Sequence, residues 1–236
     1  MKPIGVFRLY KIEGPGYLAT FLDSLSIPWE LIKIDRGEWF PQNPKDYSGL
    51  VFMGGPMSAN SNLPEISGAL ALIRKAIRHN VPVMGHCLGG QMLSKVLGGE
   101  VYRNPVKEMG WGEVTVANSI IANEWFNNLS NFEAFHWHGE YFTLPDNAHL
   151  LLSSKYCNNQ AFILGKHLGI QCHLEVTEAM IRKWFETGAE EIANSSGPAV
   201  QSVDMVQMNL AERVSNINEV AKCLYLKWIS QLSALK

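Results

Sequence analysis

The stretch S-G-L-V-F-M-G-G, residues 48 to 55, constrains the fold more than any other part of the chain. Its apolar residues run on without the alternation of a half-exposed strand, so the strand they form must be covered on both faces, as in a parallel sheet. A parallel neighbour has to be reached by a crossover, and the following residues supply one. P-E-I-S-G-A-L-A-L-I-R-K-A-I-R-H-N carries Ile66, Leu70, Ile73 and Ile77 at helical intervals and leads into the strand V-P-V-M-G-H, residues 81 to 86. Upstream, K-P-I-G-V-F-R-L-Y reads as a strand stopped by E-G-P-G, Y-L-A-T-F-L-D-S-L-S as a helix, and P-W-E-L-I-K-I-D as a further strand. This alternation predicts an α/β fold whose central sheet is mostly parallel and covered by helices.

From about residue 100 to 176 the pattern turns β-rich, in the pieces E-V-Y-R-N-P, W-G-E-V-T-V-A, E-A-F-H-W-H-G-E-Y-F, H-L-L-L-S-S-K, Q-A-F-I-L-G-K and L-G-I-Q-C-H-L-E-V. These either extend the sheet or form an antiparallel flap. The tail from Thr177 reads as a helical extension with a softer loop at N-S-S-G-P-A-V-Q. A chain of 236 residues suits one large domain spanning residues 1–236. The net charge of -2 leaves no electrostatic footprint for nucleic acid. The first apolar patch is broken by Arg8 and Lys11, and no apolar stretch approaches membrane-spanning length, so a cytoplasmic protein without a membrane partner is expected. Cysteines at 87, 157, 172 and 223 have neither C-x-x-C spacing nor the density of a disulfide scaffold, and are expected to be free thiols.

Cys87 stands in G-H-C-L-G, residues 85 to 89, between a strand and the helical segment Q-M-L-S-K-V-L-G-G. The pattern has the form of a nucleophile elbow, in which flanking glycines let the chain bend sharply enough to hold a side chain above the sheet. The following helix aims its N-terminal N–H groups at the sulfur and favours the thiolate. The competing reading is a small buried hydrophobe, for which free cysteine is well suited. His86, next to the bend, should point away from the sulfur and is read as packing. A cysteine nucleophile needs an imidazole in reach and a group that orients it. In L-G-I-Q-C-H-L-E-V, His173 and Glu175 lie two apart and share one face of a strand. His136 and His138 in F-H-W-H-G-E also share a face, but no carboxylate stands at metal-site spacing from them, so no metal is expected.

Three motifs in this order, M-G-G-P-M-S at 53–58, G-H-C-L-G-G-Q at 85–91 and G-I-Q-C-H-L-E-V at 169–176, resemble the class I glutamine amidotransferase domain, most closely its GMP-synthase-like branch. The resemblance implies a flavodoxin-like three-layer fold and a Cys-His-Glu triad: Cys87 attacks the glutamine side-chain amide, His173 moves the proton and Glu175 orients His173. It also implies an oxyanion hole from the N–H groups of Gly55 and Leu88, substrate contacts from Gln91, and presentation of the amino-acid end of glutamine by Trp137, His138 and Gly139. The family's histidine is commonly flanked by an aromatic residue and a proline, where this chain has Cys172 and Leu174. No phosphate-binding loop follows the triad, so a complete GMP synthase is excluded. The expectation is a stand-alone glutaminase that needs no cofactor and passes ammonia to a separate synthetase. The alternatives are a γ-glutamyl peptidase acting on γ-glutamyl compounds and a non-catalytic regulatory subunit.

Overall fold

The computed structural model describes residues 2–232. The first half of the chain alternates strand and helix: β1 (Ile4–Arg8), α1 (Tyr17–Ser24), β2 (Trp29–Lys33), β3 (Gly49–Phe52), α2 (Pro64–Arg78), β4 (Val83–His86) and α3 (Leu88–Val96). The second half is β5 (Val101–Val116), α4 (Ile120–Trp125), β6 (Asn131–Phe142), β7 (His149–Ser154), β8 (Ala161–Leu164) and β9 (His167–Ile170). Four helices follow, α5 (Glu178–Thr187), α6 (Ala189–Ala193), α7 (Val203–Gln207) and α8 (Leu210–Ile229). No helix among the described residues is long and apolar enough to cross a membrane.

The nine strands of the described residues join one sheet in the order β2-β1-β3-β4-β9-β8-β7-β5-β6. From β2 to β9 the neighbours are parallel, and from β9 to β6 they are antiparallel. The expectation of a mostly parallel, flavodoxin-like sheet is therefore overturned. The α/β sheet is mixed, and its antiparallel ladders carry most of the paired residues, β5 with β6 forming the longest. The reason lies in the connections. A tight turn at Gly165, whose φ is 58°, folds β9 back on β8, and a turn of that length joins only antiparallel strands. Two pieces read as separate strands, E-V-Y-R-N-P and W-G-E-V-T-V-A, are one strand, β5, with an irregularity between Arg103 and Glu108 that accommodates Pro105. Helix α4, capped by the Ser119 side chain, has no counterpart in the sequence reading.

The unbroken apolar strands are explained by the two cores. Val51 and Met53 face one, with Ile4, Val6, Leu22 and Tyr225, so that α1 and α8 cover this side. Leu50 and Phe52 face the other, with Phe7, Val83, Ile66 and Leu93, under α2 and α3. Both faces of β3 are thereby removed from water, worth on the order of 2 kcal/mol for each fully buried large side chain. The loops after β1, β3, β4 and β9 all leave the carboxyl edge of the parallel strands, where open α/β sheets form their crevices.

Candidate active site

At the end of β4 the backbone turns at Cys87, the N-cap of α3, with φ 49° and ψ -109°. A non-glycine residue with positive φ is uncommon and carries local strain. The turn is locked from several sides: the Cys87 N–H donates to the Ile170 carbonyl at 2.7 Å, and a Cβ on Gly85 would lie 2.2 Å from the Gly89 backbone. A Cβ on Gly89 would meet the Phe52 carbonyl at 2.0 Å, so both glycines are needed for this approach of strand and helix. Leu88 opens α3, where its N–H has no intrahelical acceptor. Gly55 lies beside it, since a Cβ there would stand 3.2 Å from the Leu88 side chain. Gly55 and Cys87 both line the cavity described below.

The segment after β9 was expected to continue as a strand through Glu175, and it does not. Beyond Ile170 the β4 partner has turned away at Cys87, and the only remaining strand-like pairing is a single bridge between His173 and Phe135. The side chains nonetheless converge. His173 lies close enough to Cys87 for the thiol to influence its protonation, and its Nδ1 lies 2.7 Å from Glu175 Oε1. The Trp184 ring packs edge-on against the imidazole at 4.8 Å, and Trp184 Nε1–H donates to the Ile12 carbonyl. Burial would lower the His173 pKa, but Glu175 and Cys87 outweigh it and hold the imidazole well above its ordinary value. Burial likewise opposes the charge on Glu175, yet His86 and His173 on either side hold it well below the usual carboxylate range.

His86 is more than packing. Its Nδ1 sits 3.0 Å from Glu175 Oε2, off the line of a good hydrogen bond, so the carboxylate lies between two fully enclosed imidazoles. Two further residues were missed. Gln171 Nε2 approaches Cys87 Sγ at 3.6 Å and its Oε1 accepts from Gln91 Nε2 at 3.2 Å. Its spacing of two from His173 was a signal in the sequence. Glu13, from the loop after β1, has no such signal. Its ligating atom lies within 4.8 Å of those of His173 and Glu175, its Oε2 has no hydrogen-bond partner, and burial pushes its carboxyl up to about 7, with Glu175 adding and His173 opposing.

A cavity of about 970 Å³ opens over Cys87 and is lined by Glu13, Gly55, Gln91, Trp137 and Gly139 among others. Gln91 is buried, with Nε2 also donating to the Glu140 carbonyl at 3.3 Å. Trp137 packs on Phe185 and donates from Nε1 to Glu191 at 3.1 Å. His138 borders the cavity, but its ring is 1% exposed and turned toward Glu108, which leaves its backbone and that of Gly139 facing the opening. Two of the other cysteines are poor nucleophile candidates, since burial pushes Cys157 up to about 12 and Cys172 well above its ordinary value.

A glutamine amidotransferase from Methylobacillus flagellatus superposes with a TM-score of 0.95 at 39% identity, covering 99% of this chain and 96% of that one. A glutamine amidotransferase-like protein of Salmonella typhimurium, YfeJ, is 28% identical over 179 residues, 73% of this chain and 74% of its own. Gamma-glutamyl peptidase 3 of Arabidopsis thaliana is 28% identical over 180 residues, 70% of this chain and 71% of its own. The family model described as "Glutamine amidotransferase class-I" matches residues 20–185, a span that holds Cys87, His173 and Glu175, and the chain therefore belongs to the class I glutamine amidotransferase family.

Proposed function

We propose that the chain hydrolyses the γ-amide of a glutamine-like substrate through a cysteinyl γ-glutamyl thioester. The observation that carries this reading is the Cys87–His173–Glu175 line, with His173 held by Glu175 at 2.7 Å and the thiol facing an open cavity. The Cys87 thiol gives its proton to His173, its Sγ attacks the amide carbon, and the N–H groups of Gly55 and Leu88 receive the developing oxyanion, each such donor being worth about 3 kcal/mol of barrier. Because Glu175 favours the protonated ring, His173 acts as the acid that delivers a proton to the departing ammonia. The neutral imidazole left behind then takes a proton from the water that cleaves the thioester, and glutamate leaves. Gln91, Trp137, and the backbone at His138 and Gly139 hold the amino-acid end, and ammonia becomes available to a separate synthetase.

A second reading shares every step to the thioester but has a γ-glutamyl peptide or conjugate as substrate. The cavity favours it: about 970 Å³ lies at the upper end of ligand pockets and exceeds what a single glutamine fills. Similarity to a plant γ-glutamyl peptidase points the same way.

The test is a labelling and turnover experiment with a glutamine-mimicking diazoketone. The adduct is expected on Cys87 alone, to be blocked by excess glutamine and to be absent in Cys87→Ala, whose amide hydrolysis falls at least about a thousandfold. An unlabelled Cys87 in folded protein would overturn both readings. Faster release of amine from γ-glutamyl peptides than of ammonia from glutamine would select the second.

A further inference from the structure

On the antiparallel side of the sheet, outside the triad, four polar side chains are sealed together: Glu108 on β5, His136 and His138 on β6, and Gln160 just before β8, exposed by 5%, 2%, 4% and 0%. His138 Nε2 lies 3.2 Å from Glu108 Oε2. Gln160 Nε2 sits in the middle, 2.9 Å from Glu108 Oε2, 3.3 Å from His138 Nε2, 3.4 Å from His136 Nδ1 and 3.1 Å from Ser154 Oγ. Two amide protons cannot serve four neighbours, and the other amide atom, Gln160 Oε1, is buried with no partner.

The far nitrogens of both rings indicate which atoms are free to bind. His138 Nδ1 faces the Glu140 carbonyl at 3.1 Å and His136 Nε2 faces the Gly112 carbonyl at 3.4 Å, so each carries its proton on the outside. The inward nitrogens are then lone pairs, aimed at a carboxylate that is itself only an acceptor. Ser154 Oγ–H holds the other carboxylate oxygen, Oε1, at 2.7 Å. Inward lone pairs backed by outward carbonyls and a hydroxyl are the arrangement by which proteins orient metal ligands. A half-turn of the Gln160 amide exchanges its oxygen and nitrogen, turns the oxygen toward the two inward ring nitrogens, and completes an N2O2 set. Four of the six donor–donor spacings, 2.9–3.4 Å, match the edge of a tetrahedron, ~3.3 Å, around a cation with bonds of ~2.0–2.1 Å, and His136 lies within 4.8 Å of the Glu108 and His138 donors.

We propose that Glu108, His136, His138 and Gln160 form a closed structural site for a divalent transition cation, Zn²⁺ foremost, that ties β5, β6 and β8 together beneath the cavity floor. Borderline nitrogen and oxygen donors in a small tetrahedral set suit Zn²⁺ rather than Mg²⁺ or Ca²⁺. Burial of all four residues leaves no position for water or substrate, so the role is bracing rather than catalysis. The inference is independent of the reaction proposed above.

The experiment strips the purified full chain with a chelator and titrates it with Zn²⁺ against a chromophoric competitor, with Co²⁺ as an absorbing substitute. One Zn²⁺ per chain is expected, a tetrahedral Co²⁺ spectrum without thiolate bands, and a higher Tm with metal. The Cys87→Ser/His173→Ala double variant should bind as well as the native chain, which separates this site from the triad. Glu108→Gln should weaken binding by about 100-fold or more. Gln160→Glu, which adds charge while keeping size, should tighten it and keeps the test open if Glu108→Gln fails to fold. No Zn²⁺ bound by the native chain, or binding lost in the Cys87→Ser/His173→Ala variant, overturns the proposal.

Discussion

The two halves of the sheet contain the same pair of residue types in opposite surroundings. In the parallel half, His173 and Glu175 meet at 2.7 Å, and the other ring nitrogen faces a thiol beside an open cavity. In the antiparallel half, His138 and Glu108 meet at 3.2 Å, and the outer ring nitrogen is capped by a backbone carbonyl. Each carboxylate has a second imidazole nearby, His86 in one case and His136 in the other. The residue types therefore do not separate chemistry from architecture. What separates them is the far nitrogen of the imidazole: directed at a nucleophile in a crevice it can move protons, and capped by a carbonyl in a sealed layer it can only hold.

The most severe test of this contrast is Glu108→Leu. Removing one partner of a buried pair leaves the rest of the network without its counter-charge, and a loss of about 3–5 kcal/mol in urea unfolding is expected, if the protein folds at all. Adding His138→Leu should recover part of that loss, because two apolar groups no longer need partners. A double variant less stable than the single one would mean that the cluster does more than hold strands together.

Glu13→Gln tests the parallel half. Burial raises the Glu13 pKa from 4.5 to about 7, so between these values the folded protein keeps a proton that the unfolded chain releases. Its contribution to stability therefore falls as pH rises from about 4.5 to about 7, and stays low above. The glutamine variant lacks this loss, and at pH 8 it should exceed the native chain by at most about 3 kcal/mol, while its advantage vanishes near pH 4.5. Parallel stability curves from pH 5 to 8 would show that Glu13 is not enclosed as described.

The smallest effect is expected at His86→Asn. It removes one of two groups that hold Glu175 ionised, so the Glu175 pKa rises and the acid limb of kcat/KM moves to higher pH. Turnover at neutral pH should fall roughly tenfold with KM little changed, in keeping with one lost interaction to a charged group. An unshifted acid limb would return His86 to a purely packing role.

Much of the parallel half was legible in the chain. The run Leu50–Met53 announced a strand buried on both faces, and Gly85 and Gly89 around Cys87 announced a bend that tolerates no side chain. His173 and Glu175 were legible as a pair because they are neighbours in sequence, although the strand expected to carry them ends at Ile170. Gln171 shared their spacing and was overlooked. Glu13 and Glu108 were not legible: an acidic residue in a loop or strand looks like any solvated one until the fold encloses it. The absence of a carboxylate near His136 and His138 in sequence was the ground for expecting no metal there, and the β5–β6 ladder, which pairs Glu108 with His138, supplies that carboxylate.

By itself the sequence determined those features that depend on near neighbours along the chain: strand and helix periods, the elbow at Cys87, the His-x-Glu pair and, through three ordered motifs, the family. The tertiary structure decided the direction of the later strands, the two imidazoles on Glu175, the buried carboxyl of Glu13 and the sealed cluster around Gln160. Periodicity and steric demands act over a few residues and leave a mark in composition. Burial, charge pairing and access to solvent arise only when segments far apart in the chain are packed together, and they act through space.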